Sequence, residues 1–379
     1  VIIDLPATTT SQVNSKLVHL REQGGANTIG RVLTLVIVTD DSERTEEVID
    51  AANHASREHP CRVIVLARGA KKASARLDAQ IRVGGDAGAS EVVVLRLYGP
   101  LANEGASCVV PLLLPDAPVV AWWPFEAPAV PADDPIGQLA TRRITDAAAE
   151  RNPTRALEAR AKAYADGDTD LAWTRLTLWR AVLASALDLP PYEKVTGATV
   201  SGEADSPSAD LLAAWLAARL RMPVHRTRSK SGPGIVRVEL DRKSGPVVLE
   251  RPDGTVGELT QPGQPARRVA LQRRQVRDCI AEELRRLDAD EIYHSALRAL
   301  GKVDRRAKPA SSGKASSSGK TAAARRKPAA EKPANEQSGT EQPGADGSTE
   351  SANTKQTNTK QTGRKATARR QPAKARAGS

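Results

Sequence analysis

Apolar residues run continuously in some stretches of this chain and recur at helical spacing in others. RVLTLVIVTD (31–40) is an unbroken apolar run rich in β-branched residues, which predicts a strand covered on both faces. CRVIVLA (61–67), EVVVLRL (91–97) and APVVAWW (117–123) repeat that pattern. Between them the period lengthens. Residues 10–23 put Val13, Leu17 and Leu20 on one side of a helix that Gly24 ends. A second helix is expected to start at Ser42 as its cap, to carry Val48, Ala52 and Ala55, and to close at Pro60 after His59. Strands alternating with helices predict an α/β unit with a mostly parallel sheet.

The pattern changes after a connector rich in Pro, Ala and Asp at 126–136. Helical sequence follows, and Trp173, Leu176, Trp179, Leu183 and Leu187 fall on one face of it before Pro190 and Pro191. VTGATVSG (195–202) leads through Ser206 and Pro207, a cap and first-turn pair, into the helix LLAAWLAARL. Beyond Met222, PVHRTR, GIVRVEL and PVVLERP alternate as short strands between Gly and Pro turns, and helices are expected at 271–287 and about 290–300. The organisation expected is therefore an N-terminal α/β domain over 1–130 and an α+β domain over 131–301. A disordered basic tail is expected over 302–379, where Val303 and alanines are the only apolar residues and no aromatic occurs.

Charge sharpens this division. The chain carries 56 Lys and Arg against 45 Asp and Glu, but eighteen and six of these lie in 302–379. That leaves 38 against 39 for residues 1–301, so the expected globular body is close to neutral and gives no argument for nucleic-acid binding. The tail reads as a solubilising extension or as a segment making weak, non-specific contacts to nucleic-acid phosphates; it lacks aromatics for base stacking. Cys61, Cys108 and Cys279 are far apart and form no CxxC, which suggests small buried residues in a reducing cytoplasm. No apolar run approaches the ~20 residues of a membrane helix, and no secretion signal is expected.

Candidate chemistry is sparse. His19, His54, His59, His225 and His294 show no metal-ligand spacing. GKASSSGKT (313–321) imitates a phosphate-binding loop but has one residue too many between its glycines, and it lies in the tail. Asp40 and Asp41 follow the first long strand, where open α/β sheets bind ligands, yet carboxylates there also favour the next helix N-terminus. Neither a catalytic group nor a cofactor site is assigned. The remaining candidates are aromatic and cationic: Trp122, Trp123, Pro124 and Phe125 in AWWPF, Arg142 and Arg143 in RRITD, and Trp173, Arg175, Trp179 and Arg180 in DLAWTRLTLWR. Alternation sends Trp122 and Trp123 to opposite sheet faces. Helical spacing brings Arg175 over the Trp179 indole. Arg142 and Arg143 read as an anion contact or as a solvated helix face. Trp and Arg are the residues most enriched at binding hot spots, so all ten are candidates for a partner surface, with core packing the alternative for the indoles.

These motifs, together with IIDLPATTTSQVNSKL, GRVLTLVIVTD, HPCRVIVLA and SPSADLLAAWLAARL in that order, make residues 1–300 resemble the glucose-6-phosphate dehydrogenase assembly proteins of actinobacteria. The resemblance implies a non-catalytic cytoplasmic partner that binds and activates that dehydrogenase, supporting NADPH production by the oxidative pentose phosphate pathway. It carries over no site residue. The rival readings are an α/β enzyme binding a sugar phosphate or nucleotide near Asp40, and a nucleic-acid protein acting through its tail.

Overall fold

The computed structural model describes residues 1–24, 30–84, 91–230 and 232–305. Two mixed sheets with packed helices make up the body. The first sheet has eight strands: β1 (Ile2–Leu5), β2 (Leu33–Asp40), β3 (Cys61–Arg68), β4 (Arg76–Val83), β5 (Glu91–Tyr98), β6 (Val119–Trp122), β7 (Arg142–Thr145) and β8 (Asp168–Asp170). Their spatial order is β1-β4-β5-β3-β2-β6-β7-β8. From β5 to β8 every neighbouring pair is parallel, and β4 alone runs the opposite way, pairing antiparallel with β5 on one side and β1 on the other. The four continuous apolar runs form the middle of this sheet, as expected of strands buried on both faces.

Alternation along each strand feeds two separate apolar layers. Val36, Val38, Ile64, Leu66 and Ala121 face Val13 and Leu17 of α1 (Thr10–Gly24), with Val109 of the short α3 (Gly105–Val109) and Leu112. Leu35 and Ile37 of β2, Val63 and Val65 of β3 and Val120 of β6 face the other way, under helices α2 (Arg44–Ser56) and α8 (Val276–Arg285). Ser42 does not cap α2 with its side chain. The helix starts two residues later, the Ser42 carbonyl accepts from the Thr45 N–H, and the Thr45 hydroxyl donates to the Asp40 carbonyl.

The first sheet continues past the connector at 126–136, because β7 and β8 extend it to Asp170. Arg142 and Arg143 are therefore strand residues, and both are buried. α8, although late in the chain, lies on α2 over this first sheet.

The second sheet begins with β9 (Gly197–Gly202), which crosses through α7 (Pro207–Leu220) to the parallel β10 (Val224–Arg228). The Ser206 hydroxyl accepts from the Ala209 N–H, so that cap forms as the sequence indicates. β11 (Ile235–Asp241), β12 (Val247–Glu250), β13 (Val256–Gln261) and β14 (Gln264–Ala270) form an antiparallel meander. With the short β15 (Val303–Asp304) the spatial order is β14-β13-β12-β11-β9-β10-β15. Leu211, Leu212 and Leu216 of α7 and Tyr293 and Leu297 of α9 (Glu291–Arg298) pack on Val200, Val224 and Val238 of this sheet.

The body reaches slightly beyond the expected tail boundary at 302. β15 pairs with β10, and Arg305 binds the buried carboxylate of Asp210 at 2.9 Å. The rest of the expected tail, with the NTKQT repeats and GKASSSGKT, lies outside the described residues. No helix among the described residues is long and apolar enough to cross a membrane.

Candidate functional site

The ten aromatic and cationic candidates lie on the β6–β7 side of the first sheet and on the helical segment that leads into the second, and most of them are buried. Trp122 ends β6 inside the layer beneath α2 and α8, while Trp123, 1% exposed, enters the layer on the opposite face. The pair splits as alternation requires. Neither indole offers its ring to solvent, because both faces of the sheet are covered at the end of β6. Pro124 is buried behind them, and Phe125 is half-buried under the Arg44 guanidinium, 3.4 Å from the ring centre.

Trp173 and Trp179 lie in the core of the second sheet on two helical pieces, α5 (Leu171–Thr174) and α6 (Thr177–Leu187). Arg175 does not lie over Trp179. It turns to Asp146 in a bidentate pair at 2.8 and 2.7 Å, since a buried guanidinium must replace the water it has lost. Burial pulls the Arg175 pKa down, but the Asp146 hydrogen bonds and charge outweigh it and hold the guanidinium above its ordinary value. The stacking falls to other arginines: Arg180 sits 3.8 Å over Trp173, and Arg251 sits 5.3 Å over Trp179. The Trp173 indole N–H donates to Asp290 at 2.7 Å.

Arg142 and Arg143 are equally committed. Arg142 pairs with Glu283 of α8, and Arg143 pairs with Asp168 and donates to the Ala140 and Asp166 carbonyls. Glu283 also accepts from the Thr174 hydroxyl, so one carboxylate joins β7, α5 and α8. Asp170 is fully buried and accepts from the Thr145 hydroxyl at 2.6 Å and from the Ala147 and Ala172 N–H groups. Burial raises its pKa to about 6, with the Asp146 charge adding to the shift and the hydrogen bonds opposing it. These charges tie β7 and β8 to each other and to the helices α5 and α8 packed on them.

The open feature at this junction is a cleft of about 840 Å³ between α2, the end of β6 and the start of α8. Arg44, Arg57, Arg175, Arg273 and Arg277 line it, against Glu47, Asp50 and Asp146. Trp122 and Phe125 form part of its wall. His54 also lines it, and no Ser, Thr, Cys, Lys or Tyr does among the described residues. No cluster of potential metal ligands occurs among the described residues. A smaller cleft of about 220 Å³ shares Arg175, Arg273 and Ala148, and has Trp179 and the start of α7 in its wall.

Asp40 and Asp41 line neither cleft. Asp41 accepts from the Tyr98 hydroxyl at 2.7 Å and pairs with Arg96 at 3.3 Å, which gives it a structural role. Of the ten partner-surface candidates, Trp122, Pro124, Phe125 and Arg175 reach the larger cleft. Arg44, Arg57, Arg273 and Arg277 were missed. The outward-facing Arg44, Glu47 and Asp50 of α2 and the run QRRQVR (272–277) carried the signal.

Residues 52–162 match the family model that describes the N-terminal domain of a glucose-6-phosphate dehydrogenase subunit. Residues 166–297 match the model for the C-terminal domain of the same protein family. The matches meet in the loop between α4 (Pro153–Lys162) and β8. No curated protein matches the chain.

Proposed function

Because the chain belongs to the glucose-6-phosphate dehydrogenase subunit family, we propose that it is a non-catalytic assembly factor that binds and activates glucose-6-phosphate dehydrogenase. The observation carrying this reading is the pair of consecutive family matches spanning 52–297. Activation then requires that the chain bind the active or assembled form of the dehydrogenase better than the inactive one. Moving a partner from mostly inactive to mostly active takes about 5 kcal/mol of differential affinity.

The buried tryptophans serve this function by fixing the frame, and the outer side of the same segment meets the dehydrogenase. α6 contains one charged residue, Arg180, and leaves Leu178, Ala181, Ala184 and Ser185 exposed. Leu178 is 43% exposed, and Tyr192, just beyond the helix, is 79% exposed. An uncharged apolar helix face with a nearby exposed tyrosine has the composition of an interface core.

Leu178→Asp and Tyr192→Ala test this assignment, because neither side chain supports the core. Each should weaken association with the dehydrogenase by about 2 kcal/mol, the scale of an interface hot spot, while thermal unfolding stays within ~1 °C of wild type. Co-elution and activation equal to wild type in both variants would remove α6 from the interface.

A further inference from the structure

We infer that the larger cleft is a binding site for a phosphorylated small molecule of nucleotide size. Its volume of about 840 Å³ falls within the range of small-molecule sites, ~300–1,000 Å³, and it opens beyond the carboxyl end of a parallel strand, β6. Open α/β sheets bind their ligands on that side.

The charge of the lining selects the ligand class. Five arginines face three carboxylates, and setting aside the Arg175–Asp146 pair leaves four arginines against Glu47 and Asp50. Asp146 is held by both terminal nitrogens of Arg175. By contrast, Arg57 and Arg273 have no ion pair among the described residues, and the Arg44 guanidinium rests on Phe125 without an acidic partner among them. α8 begins at this cleft: Gln275, Val276 and Arg277 line it, and the ten-residue helix directs its partly positive end there. Guanidinium groups bind carboxylate and phosphate oxygens alike through paired donors, and a phosphate, with more oxygens and more charge, can engage several of these arginines at once.

The wall adds the less polar half of the site. Phe125 supplies aromatic surface with the buried Trp122 behind it, and two buried polar atoms of the lining lack partners among the described residues: the Trp122 Nε1–H, a donor, and the Asn53 Oδ1, an acceptor. A ligand with an anionic end and a polar ring system matches this division, with phosphates toward Arg57, Arg273 and Arg277 and the uncharged part against Phe125. Such a molecule would occupy the surface joining α2 and α8, the contact that holds the C-terminal helices on the first sheet.

Isothermal titration of the full chain with inorganic pyrophosphate and, separately, ATP tests the site. Arg57→Ala and Arg273→Ala are the informative variants, since both side chains are exposed and have no ion pair among the described residues. Arg267→Ala, exposed on β14 and outside the cleft lining, controls for general positive charge. The expected result is one ATP per chain, binding at least tenfold weaker in both cleft variants and unchanged in Arg267→Ala, with pyrophosphate competing. Three results would each overturn the inference. They are no heat with either probe, equal affinity in all three variants, or capture of a glutamate-rich peptide by a chain that ignores both phosphates.

Discussion

Trp123 shows how a side chain can be conspicuous in sequence and yet unavailable to a partner. A strand-end indole before proline looks hard to cover, but the layer holding Val36, Val38 and Ala121 closes over it. Trp123→Ala should therefore cost about 3–5 kcal/mol through the cavity it leaves, and activation should fall only in proportion to unfolding. Normal melting with lost activation would contradict this. Arg175 and Asp146 form a different kind of joint. Arg175→Ala should destabilise the chain by about 3–5 kcal/mol in urea titrations, because the Asp146 carboxylate would stay buried without its partner.

Asp170 makes a pH prediction at the same scale. Its folded pKa of about 6 lies above the ordinary 3.8, so the folded state holds the proton more tightly than the unfolded one. Its contribution to stability is full below that ordinary value and is lost as pH rises through about 6. In urea titrations the stability advantage of wild type over Asp170→Asn should be larger at about pH 4.5 than at about pH 7. An advantage that is constant or grows with pH would exclude this assignment.

Elements were legible where one physical signal dominated. The continuous apolar runs became β2, β3, β5 and β6, and Ser206–Pro207 opened α7. β4 was missed because it alternates, RLDAQIRV, with only Leu77, Ala79 and Ile81 inward, a pattern that polar loop sequence imitates. β13 and β14 were missed for the same reason, and β14 is mostly exposed. The Trp-bearing segment kept its buried face but not its single helix. Arg175 and Leu176 separate α5 from α6, and the guanidinium turns to Asp146 instead of stacking on Trp179. Helical spacing locates a face but does not identify which acid a buried arginine finds. The cleft was illegible for a related reason: its arginines come from α2 and from 272–277, far apart in the chain and brought together only by α8 lying on α2.

At the scale of the molecule, the near-neutral body and the basic C-terminal segment remain distinct in charge, but the body ends later than composition indicates. A chain ending at Arg305 should fold and activate like the full chain. One ending at Gly301 should melt several degrees lower, because it loses β15 and leaves Asp210 with Arg226 as its only described guanidinium partner. Equal melting of the two truncations would show that the Arg305 contact contributes nothing to stability.

All of this structure serves one proposed activity: acting on glucose-6-phosphate dehydrogenase without performing its reaction. Titrating the purified full chain into the dehydrogenase of the same organism, while following complex formation and NADPH production together, tests that activity without intermediaries. A saturable rise in dehydrogenase activity should track formation of a stable complex, and the chain alone should produce no NADPH. Absence of a complex with unchanged activity, or NADPH formation by the isolated chain, would contradict it.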